Sequence, residues 1–154
     1  MSSGRGSIFG WVRFTNDAPD SLAGSLVWTK PPVLKDKYYR AGFTNTASAF
    51  GSTYTSLLMT NLIATSSNIE AQITGLAPDV ITNTLALTAK NTFTSTNGLK
   101  LKLDLTTGIW SGTFPEPTTH KSLPVKATVL QQRGAGGGYT LGTNASAAVS
   151  LIIQ

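Results

Sequence analysis

Four cations, Lys30, Lys35, Lys37 and Arg40, fall within eleven residues, and Tyr38 and Tyr39 stand between the last two. Flat rings that stack on a sugar, beside cations that meet carboxylates or sulfates, would suit an acidic polysaccharide or another cell-surface glycan. Tyr38, Tyr39, Lys37 and Arg40 are therefore the candidate ligand-binding residues. The plainer account is a solvated loop after a strand, because Pro31 and Pro32 end a hydrogen-bonding ladder. Nucleic acid is not expected as a partner, since its binders carry a broader basic stripe.

Enzymatic chemistry finds little support. The single histidine, His120, follows Glu116 by four residues in a Pro/Thr-rich connection, and a metal or acid–base site there would need further ligands from elsewhere. The other acids, Asp17, Asp20, Asp36, Glu70, Asp79 and Asp104, are scattered, mostly in turns. A serine nucleophile would need a basic partner, and the Gly-x-Ser-x-Gly elbow is absent. Gly134 to Gly138 lacks the Gly-Lys-Ser/Thr ending of a phosphate loop and reads as a flexible hairpin loop. With no cysteine, thiol and disulfide chemistry are excluded. No catalytic residue, metal or cofactor is expected. Trp11, Trp28 and Trp110 could form a sugar-stacking platform, but tryptophans in mid-strand more often fill a β core, which is the expectation for all three.

The elements that must position these residues are strands. Leu99, Leu101, Leu103 and Leu105 alternate with Lys100, Lys102 and Asp104, the period of a strand with one dry face. A Thr-Thr-Gly turn follows, then Trp110 and Phe114 on one face. Leucines and rings share a face only if two or four residues form the loop, and Leu105 opposite Trp110 is the expected register. Further strands are expected over 8–15, 25–30, 43–54, 57–64, 69–73, 80–87, 91–96, 125–130, 139–141 and 149–153. Asn97-Gly98 is the strongest short hairpin signal. The 23 threonines favour strands through their branched Cβ, and no stretch has helical periodicity.

These signals predict an all-β fold, a single antiparallel barrel or sandwich of about ten short strands. A closed barrel is preferred, because Leu151-Ile152-Ile153 carries apolar side chains on both faces and suits a strand buried between two neighbours. Residues 1–6 read as a disordered leader and 7–154 as one β domain, long enough to bury about two thirds of its unfolded surface. No apolar run is long enough for a membrane helix, so membrane insertion is not expected.

Gly10-Trp-Val-Arg-Phe-Thr15, Gly42-Phe-Thr-Asn45, Leu105-Thr-Thr-Gly-Ile-Trp-Ser-Gly-Thr-Phe114, Val129-Leu-Gln-Gln132 and Gly138-Tyr-Thr-Leu-Gly-Thr-Asn144 occur in that order. Together they resemble an uncharacterised β domain found near the C-terminus of large exported proteins of environmental Gram-negative bacteria. The resemblance implies an extracellular or cell-surface location, other domains of a longer parent protein as partners, and no catalytic residue. The expected function is that of a noncatalytic accessory domain in adhesion, glycan binding or surface assembly. Two alternatives stand beside it, a small-ligand-binding β-barrel lined by the tryptophans and a glycan-active hydrolase.

Overall fold

The computed structural model describes residues 6–16, 20–57, 59, 69–76, 80–89, 91–142 and 146–153. The β domain expected over 7–154 is laid out as two compact units, Met1–Thr53 and Tyr54–Gln154.

The first unit is a meander of β1 (Ser7–Phe14), β2 (Leu22–Lys30) and β3 (Phe43–Gly51), with β2 in the middle. Ile8 stands opposite Trp28 and Phe14 opposite Leu22, while Leu26 pairs Ala47 and Lys30 pairs Phe43. Cross-strand partners share a face, so this register sorts the residues by chemistry. One face carries Ile8, Val12, Phe14, Leu22, Leu26, Trp28 and Phe43. The other mixes Phe9, Trp11, Val27 and Phe50 with serines and threonines.

The second unit is a closed, eight-stranded antiparallel barrel, as preferred from the sequence. Its strands are β4 (Ile69–Thr74), β5 (Val80–Ala89), β6 (Thr92–Thr94), β7 (Lys100–Asp104), β8 (Ile109–Pro115), β9 (Ser122–Leu130), β10 (Ala135–Leu141) and β11 (Ser146–Ile153). Each strand pairs the next in sequence, and β11 closes the ring on β4. The terminal strand thus lies between two neighbours, with Leu151 and Ile153 inward and Ile152 outward.

Eight strands leave an interior just wide enough for side chains to fill. Leu101, Leu103, Trp110, Phe114, Val125, Val149 and Leu151 are all essentially inaccessible there, and Phe93 meets Trp110 edge-on with centroids 5.0 Å apart. Lys100, Lys102, Asp104, Lys126 and Thr128 alternate with these and face outward.

The central hairpin has the expected face but a different register. Trp110 stands opposite Leu103, not Leu105, and Gly112 stands opposite Leu101. The turn claims Leu105 as its first residue. The Asp104 carboxylate accepts the Thr106 N–H at 2.8 Å, and Gly108, at φ 70°, donates its N–H to the Asp104 carbonyl. An Asp side chain that caps its own turn outcompetes one more ladder pair.

Two further expectations are corrected. Gly136, Gly137 and Gly138 are not loop but lie inside β10, paired with both β9 and β11. A Cβ at Gly138 would stand 2.1 Å from the Lys126 carbonyl oxygen, so glycine is there to let strands approach. The reversal is made instead by a 3₁₀ turn over Gln131–Arg133, ending on Gly134 in the left-handed region. The strand expected over 57–64 begins as a helical turn through Ser56, Leu57 and Met59, with the Met59 N–H bonded to the Thr55 carbonyl. Its remainder lies outside the described residues.

Candidate functional site

The loop that carries the candidate binding residues is built around a buried lysine. Lys30 ends β2 on the apolar face and is only 4 % exposed. Its ammonium lies 2.9 Å from the Asp36 carboxylate and donates to the Tyr39 carbonyl at 2.9 Å. A charge taken out of water must be paired and hydrogen-bonded, and these two partners, six and nine residues on, fold the loop back over it. The Val33 N–H bonds the Arg40 carbonyl at 2.8 Å, and the Arg40 Nε donates to the Asp36 carbonyl at 2.9 Å. Tyr39 sits at φ 50° and Gly42 at φ 74°, two left-handed residues that let the chain turn back into β3.

This folding separates the four sequence-named residues. Lys37 and Arg40 are exposed, with the Lys37 ammonium 5.0 Å from the centre of the half-buried Tyr38 ring. Tyr39 is also half-buried, and its ring is spent on Phe43 at 5.2 Å, while Phe43 meets Trp28 edge-on at 5.0 Å. Of these four, the loop therefore presents two cations and one cation-capped ring, with Lys35 a third exposed cation. Tyr39 supplies its carbonyl and an internal contact. Lys30 was missed as the organising residue, although a lysine just before Pro31-Pro32, with an acid six residues on, was the available signal.

The tryptophans divide in a way that corrects the expectation of three core residues. Trp110 is fully buried in the barrel, but Trp11 is 63 % and Trp28 43 % exposed. Phe14 on the apolar face reaches 75 %. These rings sit on strands as Trp110 does, but a three-stranded sheet has no second layer of its own to cover them.

His120 and Glu116 occupy a turn. The His120 N–H bonds the Glu116 carbonyl at 2.8 Å, the Thr119 hydroxyl donates to the Glu116 carboxylate, and the imidazole is exposed. Among the described residues no group of three His, Cys, Asp or Glu side chains converges as a metal site would require. No described helix is long and apolar enough to cross a membrane.

At the barrel end near β7 and β8, Tyr54 lies over the hairpin turn and donates to the Leu105 carbonyl at 2.6 Å. Burial, and then the Asp104 charge, push its phenol above the ordinary range. Backbone and hydroxyl donors from Thr106 and Thr107 hold the Asp104 carboxyl below its ordinary value. This is a structural clamp over the hairpin turn.

No family model, curated protein or solved structure matches the chain.

Proposed function

We propose that the chain is a noncatalytic accessory β module of an exported bacterial protein, acting in assembly through the apolar face of its three-stranded sheet. The carrying observation is that face, on which Ile8, Val12, Phe14 and Trp28 are all exposed. A contiguous apolar patch of this kind marks a contact surface rather than a solvated one. Nine-residue strands at about 3.3 Å per residue, spaced about 4.8 Å apart, give a face of roughly 30 by 14 Å. Its only charge is Lys30, already neutralised by Asp36. The occupant is an apolar β-sheet of an adjoining module in a longer parent protein, packed face to face at about 10 Å. β1 supports the same reading, because all eight of its residues are exposed and it has no proline and a single charge, Arg13.

Two measurements test this. The chain alone should bind the dye ANS and associate with increasing concentration. A Phe14→Thr/Trp28→Thr variant should do neither while keeping the barrel's melting transition. A photo-crosslinking residue at Val12 in the exported parent should bond to another module of the same polypeptide. A dye-silent, monomeric wild type would overturn the reading, as would a crosslink formed only to a separate protein.

The filled barrel interior weighs against the small-ligand alternative, since Trp110, Phe93 and the leucines occupy the space where that ligand would sit. A second surface is favoured by the exposed Lys37 and Arg40 beside Tyr38, which suits an acidic glycan. Glycan-array binding that weakens at high salt and in Lys37→Ala/Arg40→Ala would support it, and binding indifferent to both would remove it.

A further inference from the structure

The second face of the three-stranded sheet differs in chemistry from the apolar one. Phe9, Trp11 and Arg13 point to it from every second position of β1 and all three are exposed. Two rings and a guanidinium thus stand in line along one strand, with their Cα atoms about 7 Å apart. Phe9 is 58 % and Trp11 63 % exposed. Among the described residues neither ring meets another, whereas Trp28 on the opposite face is engaged with Phe43.

Hydroxyls flank this line. Ser25 and Ser48 share the row of Trp11, and Thr29 and Thr44 share the row of Ser7, the Thr44 hydroxyl donating to that of Thr29 at 3.3 Å. Serine is too short to lean over an indole, so the Trp11 ring stays bare although its strand is paired. Arg13 is the only charge on this face among the described residues, and no acid accompanies it.

That combination narrows the occupant. A dry protein contact would bury the serine and threonine hydroxyls without partners, which is costly. Single-stranded nucleic acid also stacks on rings, but it needs a basic groove that follows its phosphates, and one arginine does not make one. A sugar chain suits both halves, because the C–H face of a pyranose covers a flat ring while its hydroxyls bond those of serine and threonine. The guanidinium adds a carboxylate, since its parallel N–H groups match two carboxylate oxygens.

We propose that this face binds a linear, uronate-bearing polysaccharide laid along β1, with sugars stacked on Phe9 and Trp11 and a carboxylate of the chain held by Arg13. Charge complementarity supports the acidic sugar, since the face offers a cation and no acid among its described residues. The order of ring, ring and cation along one strand selects an extended polymer over a compact ligand. The site lies opposite the face that docks the adjoining module and involves neither Lys37 nor Arg40. It therefore stands or falls independently of both.

The probe is a hexameric oligogalacturonate titrated into the ¹⁵N-labelled full chain. The Trp11 indole N–H and the amides of Phe9 to Arg13 should shift, while the indole of the sealed Trp110 stays in place. Trp11→Ala should weaken binding about tenfold at an unchanged melting temperature, as for an exposed position. Arg13→Gln should weaken it several-fold. Methyl-esterifying the probe's carboxylates should do the same to wild type and nothing further to Arg13→Gln, because both changes remove one interaction. The Phe14→Thr/Trp28→Thr and Lys37→Ala/Arg40→Ala variants should bind as wild type does, which separates this site from the apolar face and from the loop. No shift at millimolar sugar, undiminished binding by Trp11→Ala, or equal binding of the esterified probe would overturn the proposal. Shifts of the same signals by an oligothymidylate and not by the sugar would overturn it in favour of a nucleic-acid site.

Discussion

Trp110 in β8 and Trp28 in β2 both sit on strands with a neighbour on each side, yet one is sealed and the other 43 % exposed. Both strands are antiparallel to their neighbours, and both place the ring on the more apolar face. The barrel closes, so each inward side chain has the opposite wall for a partner, and burial follows from topology. The three-stranded sheet has only its own plane. Its residues are patterned for a core, and the second layer is not among its own strands. Alternation thus specifies which face is dry in principle, while closure decides whether it becomes dry in fact.

The largest expected effect lies on the closed side. Trp110→Ala removes the biggest fully buried side chain and should cost about 3–5 kcal/mol. Trp11→Ala on the sheet should stay within about 0.5 kcal/mol, as for an exposed position without special contacts. Denaturant unfolding of the two variants side by side checks the contrast. Similar losses in both would mean that Trp11 is covered and that the two regions do not differ as described.

A smaller effect should come from the one buried charge of the sheet. Lys30→Met leaves Asp36 and the Tyr39 carbonyl without their shared donor, at about 1–3 kcal/mol. The loss should be local. Amide exchange at Val33 and Gly42, whose N–H groups close the loop, should accelerate, while the β8 amides should keep their wild-type protection. Acceleration throughout the barrel would contradict that separation.

Smaller again is Tyr54→Phe, which removes one hydrogen bond to Leu105 and should cost about 1 kcal/mol. Because the folded phenol is raised above its ordinary value near 10, its contribution is complete below that pH and is lost as the pH rises through the folded value. An alkaline decline present in wild type and reduced in Tyr54→Phe is the expected result. The smallest effect belongs to the exposed Asp104, whose folded carboxyl titrates below its ordinary value near 3.8. Its stabilisation is present above that value and fades as the pH falls through the folded one. Asp104→Asn should therefore narrow the gap to wild type in acid, as read by melting temperature from pH 7 to pH 2. A gap that widens on acidification would invert the assignment.

Much of the strand inventory was legible because alternation and turn chemistry are local. Leu99 to Leu103 against Lys100 and Lys102 needed no knowledge of neighbours, nor did the positive φ of Gly98 and Gly108 at their turns. The misread segments are those where a distant group decided. Gly136 to Gly138 resemble a loop until β9 and β11 pair with them, and at Gly138 the Lys126 carbonyl and Ala127 crowd the space a Cβ would take. Leu105 resembles one more ladder residue until Asp104 caps the turn. In the loop between β2 and β3, Lys37, Tyr38, Tyr39 and Arg40 were named from their types, but Lys30, which orders them, was not. Its role depends on Asp36 and Tyr39 folding back within 2.9 Å.

The sequence by itself determined an antiparallel β protein with its polar and apolar faces already sorted, because a period of two follows directly from the geometry of an extended chain. It also determined that no cysteine chemistry operates here. Tertiary structure decided which strands close into a ring and which remain an open sheet. It decided that Trp110 is core while Trp11 and Trp28 are surface, and that β5 outruns β6. Each of these depends on strand lengths and pairings far apart in the chain, where a difference of a few residues in a ladder changes what lies opposite without changing the local pattern.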